Sequence, residues 1–208
     1  VYDLELKPVA FNFPPALAFA EEVRWNPAGD RLLAWDMSTA WVLGQAVAPQ
    51  PLAAVSEAAL EQGSDQVKCA DWQPGGPWVA VCTYDLLFAW EPASGRVITV
   101  TTALDGPEAR SEPRLVAWSP DGRYLAAAGT QLAIWDSTAP DAPPLTFGEE
   151  PWQFVTALAW LPGGESLVAG WTSRVGDATD RLQTDLRRWD AGAEALIPLE
   201  LPVADGGA

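Results

Sequence analysis

Residues Arg114 to Asp136 read RLVAWSPDGRYLAAAGTQLAIWD, and this stretch decides the fold. An apolar run ends at Trp118. Ser119-Pro120-Asp121-Gly122 then supplies a tight reversal, with Pro120 presetting φ at the second turn position and Gly122 free to take positive φ. A small, apolar run from Arg123 to Gly129 follows, a second break falls at Thr130-Gln131, and a third apolar run reaches Trp135-Asp136. Runs of this length between turn residues predict three short antiparallel strands.

The unit recurs. Trp25 precedes Asn26-Pro27-Ala28-Gly29, Trp72 precedes Gln73-Pro74-Gly75-Gly76, and Trp160 precedes Leu161-Pro162-Gly163-Gly164. The four leading tryptophans are 47, 46 and 42 residues apart, and each unit carries a second one at Trp41, Trp90, Trp135 or Trp189. A period of roughly 40 to 45 residues with four strands per unit is a propeller signature. One such unit cannot bury its own apolar residues, so each sheet must pack on the sheets before and after it. The eight tryptophans are accordingly assigned to packing. The runs VAVCT, LAAAG and LVAGW agree, because a strand covered on both faces loses the apolar and polar alternation of a half-exposed one.

These repeats resemble the WD-repeat β-propeller family. The dipeptide that names it stands at Trp135-Asp136 and Trp189-Asp190, is softened to Trp90-Glu91, and is lost at Trp41-Val42. The resemblance covers about residues 14 to 202 and implies an all-β fold of about four four-stranded blades. These lie at about 16–55, 66–102, 114–147 and 154–202 of a single propeller domain spanning 1–208. Residues 1–11 alternate well enough to be an outer strand completing another blade. A closed ring in this family usually has seven blades, so four imply an incomplete ring or part of a larger propeller, with bare faces that invite association.

The chain departs from the family in lacking histidine altogether. The buried set of histidine, hydroxyl, tryptophan and aspartate common in these repeats therefore cannot form. Its remnants, Thr83 with Asp85 and Thr172 with Asp185, are expected to bond the indoles of Trp90 and Trp189, since buried indoles usually need a partner. About a dozen extra residues, Thr172 to Thr184, separate two strands of the fourth unit and project into the family's usual binding face.

Composition bounds the function. In 208 residues, 28 Asp and Glu stand against 12 Lys and Arg, for a net charge of −16. That charge repels phosphate backbones and anionic lipid heads, which disfavours nucleic acid and membrane surfaces as partners. It serves solubility, or it meets a basic protein. No apolar run approaches the ~18 residues of a membrane helix. No signal-peptide pattern is seen, so a cytoplasmic setting is the expectation, although a chain opening at Val1 leaves a processed precursor or a longer protein open. Cys69 and Cys82 sit in the apolar stretches VKCADW and WVAVCTY; buried free thiols are expected, with a disulfide as the alternative. With no histidine and two cysteines, the usual zinc ligands are missing.

Catalytic patterns are sparse. A nucleophilic triad needs a general base, most often histidine, and no phosphate-binding glycine loop or G-x-S-x-G elbow occurs. Paired carboxylates remain, at Glu149, Glu150, Asp177 and Asp180, and solvated loop acids are far commoner than catalytic ones. Asp177, Asp180 and Asp185 offer oxygen ligands for calcium, yet their spacing matches no calcium loop, and Arg174 and Arg181 would pair with the same acids. No cofactor or metal is expected. The resemblance implies a non-catalytic scaffold that presents loops to a protein partner, within an oligomer or heteromeric complex. The contact loops are Leu104 to Pro113, Gly148 to Gln153 and Thr172 to Thr184, with Trp152 as aromatic anchor. The rivals are a propeller enzyme or small-ligand binder with acids at the channel rim, and a purely structural subunit.

Overall fold

The computed structural model describes residues 14–15, 20–36, 39–44, 48–52, 67–83, 86–102, 115–148, 153–174 and 182–199. Among the described residues sixteen strands form four four-stranded sheets, and each sheet is a meander of sequential antiparallel neighbours. Blade 1 comprises β1 (Glu22–Trp25), β2 (Arg31–Trp35), β3 (Ala40–Gly44) and β4 (Gln50–Pro51). Blade 2 comprises β5 (Cys69–Trp72), β6 (Val79–Cys82), β7 (Leu86–Glu91) and β8 (Arg96–Thr102). Blade 3 has β9 (Leu115–Trp118), β10 (Tyr124–Ala128), β11 (Leu132–Asp136) and β12 (Leu145–Phe147). Blade 4 has β13 (Gln153–Trp160), β14 (Ser166–Arg174), β15 (Leu182–Asp190) and β16 (Ile197–Leu199).

The turn after each leading tryptophan closes the first hairpin of its blade. Gly29, Gly76, Gly122 and Gly164 donate their backbone N–H to the carbonyls of Asn26, Gln73, Ser119 and Leu161. In blade 3 Gly122 takes the positive φ, at 75°, as the sequence requires. Blade 2 differs: there the positive φ of 66° falls on Gly75, one residue earlier. Proline followed by a left-handed glycine is the type II arrangement, which turns the peptide between them over. The carbonyl of Pro74 consequently points into blade 3, where a Cβ on Gly122 would lie 2.3 Å from it. Gly122 is thus required by its neighbour as well as by its own turn.

Three apolar cores lie between successive blades. The first joins Leu33, Trp35 and Val42 of blade 1 to Trp72, Val81 and Trp90 of blade 2. The second joins Cys82, Leu87 and Ala89 to Trp118, Leu125 and Trp135. The third joins Tyr124, Ala126 and Ile134 to Val155, Leu167, Trp171 and Trp189. Burying one such leucine or valine stabilises by about 1.5–3 kcal/mol, and middle strands buried on both faces collect that gain twice. Between blades 3 and 4 the packing is aromatic: the Tyr124 ring stacks on Trp160 at 6.1 Å and meets Trp189 edge-on at 5.1 Å.

Two expectations are corrected here. Cys69 and Cys82 are bonded as a disulfide rather than free, because the β5–β6 register sets them directly opposite each other with Cα atoms 5.2 Å apart. That separation lies within the range a disulfide spans. The insertion in blade 4 is shorter than read from sequence, since Thr172↔Thr184, Ser173↔Gln183 and Arg174↔Leu182 continue the β14–β15 ladder. Threonines favour strands, and the Thr172 and Thr184 hydroxyls meet across it at 3.1 Å. The expected outer strand at 1–11 lies outside the described residues.

Candidate interaction surface

A meander places its first and third turns at one end of the sheet and its second turn at the other. The Trp-x-Pro turns therefore share one face of the array. The second turns, and the strand ends that lead from one blade to the next, share the opposite face, which is the expected loop face. At the turn face the polar groups are engaged internally. Gln73, buried, donates its Nε2 to the carbonyl of Gly122 at 2.8 Å and accepts at Oε1 from the backbone N–H of Trp78, so the second and third turns are tied together. Asn26 caps its own turn by accepting from the N–H groups of Asp30 and Arg31. The cleft of about 470 Å³ between the first two turns is lined by Asn26, Asp30, Arg31, Trp72 and Gln73. Two of its polar side chains, Asn26 and Gln73, are thus committed to the fold.

On the loop face, Asp36 accepts from the N–H of Thr39, and the Thr83 hydroxyl accepts from the N–H of Leu86. The Val155 N–H donates to the carbonyl of Gly129 at 2.7 Å, which anchors blade 4 beside the second turn of blade 3. Of the expected contact residues, Glu149, Glu150, Trp152, Asp177, Asp180 and Arg181 lie outside the described residues. Arg174 is placed at the end of β14, paired with Leu182 of β15. The expected remnants of the buried polar set divide. Asp85 lies outside the described residues. The Trp189 indole, in contrast to expectation, donates to the carbonyl of Ala193 at 2.9 Å, while Asp185 pairs with Arg187 and Thr172 with Thr184. A nearby backbone acceptor in the following turn takes the place of the hydroxyl.

Sequence reading missed the bridges between inner strands. Residues 24, 71, 117 and 159 each immediately precede a leading tryptophan. The Trp72 indole donates to the carbonyl of Arg24 at 3.1 Å and the Trp160 indole to the carbonyl of Ala117 at 3.0 Å, so each reaches one blade back. Asp71 adds a side-chain version: it accepts from Arg24 of blade 1 at 3.1 Å and from the backbone N–H of Trp118 of blade 3 at 3.0 Å. Burial raises the Asp71 carboxyl above its ordinary value, and the Trp118 N–H and the Arg24 charge only partly oppose it. Aligning the repeats shows the signal, opposite charges at the same position of adjacent units. Among the described residues no group of three or more acidic or cysteine side chains is placed to hold a metal.

Face-to-face stacking of four meanders, with the inner strands of blades 1 and 2 and of blades 3 and 4 joined by indole to carbonyl bonds, defines an array of β-propeller blades. The described residues do not close it into a ring. The chain carries a WD repeat: the family described as "WD domain, G-beta repeat" matches residues 57–86, which include β5 and β6. Among solved structures the chain is similar to the tricorn protease, with a TM-score of 0.62 and 11% identity, over 86% of this chain and 16% of that one. The chain spans about one sixth of that structure's length, and at this identity the likeness is one of fold alone. Since 402 solved chains match, the architecture is common and singles out no one activity. No curated protein matches in sequence. Among the described residues no helix is long and apolar enough to cross a membrane.

Proposed function

We propose that this chain is a non-catalytic protein-interaction scaffold, a single propeller domain that presents its loop face to a protein partner within a larger oligomeric or heteromeric assembly. The observation that carries the reading is the WD repeat at 57–86 set within a stack of sheets whose apolar faces are spent on one another. Such a core is a rigid frame that leaves recognition to the loops it carries. The contact set is Glu149, Glu150, Trp152, Arg174, Asp177, Asp180 and Arg181, with Trp152 as anchor and a basic partner favoured by the net charge of −16.

The test is capture from the native source on immobilised chain, with the captured protein identified and its affinity then measured for Trp152→Ala and Arg174→Glu. The reading expects Trp152→Ala to weaken binding by about tenfold or more, the loss of a hot-spot aromatic. A partner held equally well by both variants, or catalytic turnover by the purified chain, would overturn it.

A further inference from the structure

The cleft on the turn face, between the first turns of blades 1 and 2 and beside the third turn of blade 2, is walled by rigid apolar groups. Pro27, Pro77 and Pro92 line it, and Pro27 and Pro77 are exposed. Proline fixes its own φ and carries no backbone N–H, so these walls keep their shape and present no donor in need of a partner. Trp72, which also lines the cleft, is buried, and its indole N–H is already bonded to the Arg24 carbonyl. The volume of about 470 Å³ falls within the roughly 300–1,000 Å³ of ligand sites.

The polar groups of the cleft are unequally engaged. Asn26 and Gln73 bond the turns themselves. Asp30 accepts from the Asn26 Nδ2 at 2.7 Å with one carboxylate oxygen, which leaves the other open. Arg31 is half-buried and its backbone N–H is held by Asn26, but its guanidinium has no carboxylate partner among the described residues. Arg24, Arg123, Arg187 and Arg188, by contrast, lie 3.1, 2.8, 2.9 and 2.8 Å from a carboxylate. Such pairing is the rule to expect where 28 acids face 12 bases. Arg31 departs from it at the place where a rigid, apolar-walled cleft opens. A guanidinium fork matches a carboxylate in two parallel hydrogen bonds.

We propose that this cleft binds an extended acidic peptide segment of a partner protein. An Asp or Glu side chain of the segment meets Arg31, a neighbouring peptide N–H donates to the open oxygen of Asp30, and an adjacent apolar side chain lies against Pro27 and Pro77. The charges select the anion. Arg31 and Asp30 balance, so the site accepts one carboxylate charge, whereas the second charge of a phosphate would be set against Asp30. A basic segment would have to approach Asp30 past the Arg31 guanidinium. The cleft is on the face opposite the loops, so this site stands or falls separately from partner capture there.

The experiment is selection of phage-displayed random peptides on the immobilised full chain. Fluorescein-labelled synthetic copies of the enriched peptides are then titrated by fluorescence polarisation against wild type, Arg31→Gln, Arg31→Lys and Ala28→Glu. Ala28 is an exposed turn residue lining the cleft, so Ala28→Glu adds a carboxylate there without touching the core. Circular dichroism and urea midpoints check that each variant folds. Enriched peptides are expected to share an Asp or Glu beside an apolar residue. Arg31→Gln should weaken them about tenfold or more, the loss of a charge-assisted hydrogen bond. Ala28→Glu should weaken them as well, and Arg31→Lys should restore part of the loss. Replacing the peptide's acid by its amide should cost as much on wild type and nothing further on Arg31→Gln. Failure to enrich any peptide, enriched peptides without a carboxylate, or binding indifferent to both Arg31→Gln and Ala28→Glu would overturn the proposal. So would tighter binding of a phosphoserine peptide than of its glutamate counterpart.

Discussion

Asp71 of blade 2 lies 3.1 Å from the guanidinium of Arg24 in blade 1 while its other oxygen accepts the backbone N–H of Trp118 in blade 3, so one carboxylate spans three inner strands. Its burial is the larger influence and raises its proton affinity in the folded state. A native state that binds the proton more tightly than the unfolded chain gains stability as pH falls. Relative to Asp71→Asn, the wild-type chain should therefore gain stability as pH is lowered from neutral toward the ordinary aspartate range. At neutral pH the two should differ by no more than about 1 kcal/mol, since Arg24 is largely solvated and screened. Urea midpoints across that range check it, and a gap that narrows against the wild type would contradict it.

Asp136 carries the opposite sign. Burial works against its charge, but hydrogen bonds from Arg123 and from the Thr138 hydroxyl and N–H together outweigh it and hold the carboxyl below its ordinary value. A depressed carboxylate contributes stability above its unfolded pKa that is lost as pH falls through the folded one. The advantage of the wild type over Asp136→Asn should shrink on acidification, in the same titration in which its advantage over Asp71→Asn grows.

Trp72, Trp118 and Trp160 stand at one repeat position, but only the outer two have indole donors with acceptors. The Trp118 Nε1–H, like those of Trp41 and Trp171, has no hydrogen-bond partner among the described residues. Trp72→Phe and Trp160→Phe each strand a backbone carbonyl, a cost of about 1–3 kcal/mol beyond lost packing. Trp118→Phe removes an unsatisfied donor instead, and its denaturation midpoint should fall least of the three.

Gly29 and Gly122 have nearly the same φ, 72° and 75°, but a Cβ on Gly29 meets nothing within 4 Å whereas one on Gly122 meets the Pro74 carbonyl. Gly29→Ala should cost about 1–2 kcal/mol, the price of left-handed backbone for a residue with a Cβ. Gly122→Ala must also push two blades apart. Its loss of stability, read from thermal or urea unfolding, should exceed that of Gly29→Ala.

The Cys69–Cys82 bridge closes a loop with a sequence separation of 13 residues. Constraining the unfolded chain over such a loop is worth about 3 kcal/mol. Reduction should lower stability by about that amount, and thiol titration of the denatured, unreduced protein should find no free thiol.

What the sequence made legible is what repeats locally. The Trp-x-Pro reversals and the loss of alternation in the middle strands each report a residue's immediate surroundings, and both recur where expected. The Asp71 bridge and the Gln73 to Gly122 tie depend on which strands lie side by side after stacking, so no single repeat contains them. The cysteines misled because an apolar neighbourhood suits a thiol equally well, and only the ladder register brings the two face to face. The Trp189 indole found the Ala193 carbonyl because a turn four residues on lies closer than a hydroxyl on another strand.

The central claim is that blades 1 and 2, and blades 3 and 4, are each joined by an inner-strand indole reaching one blade back. Hydrogen exchange of the indole N–H groups in tryptophan-labelled protein, assigned with the Trp72→Phe and Trp160→Phe variants, tests this most directly. The account predicts that the Trp72 and Trp160 indole protons exchange only as fast as the core amides of β6 and β10. Exchange of either at the rate of a solvated indole, while those amides stay protected, would contradict it.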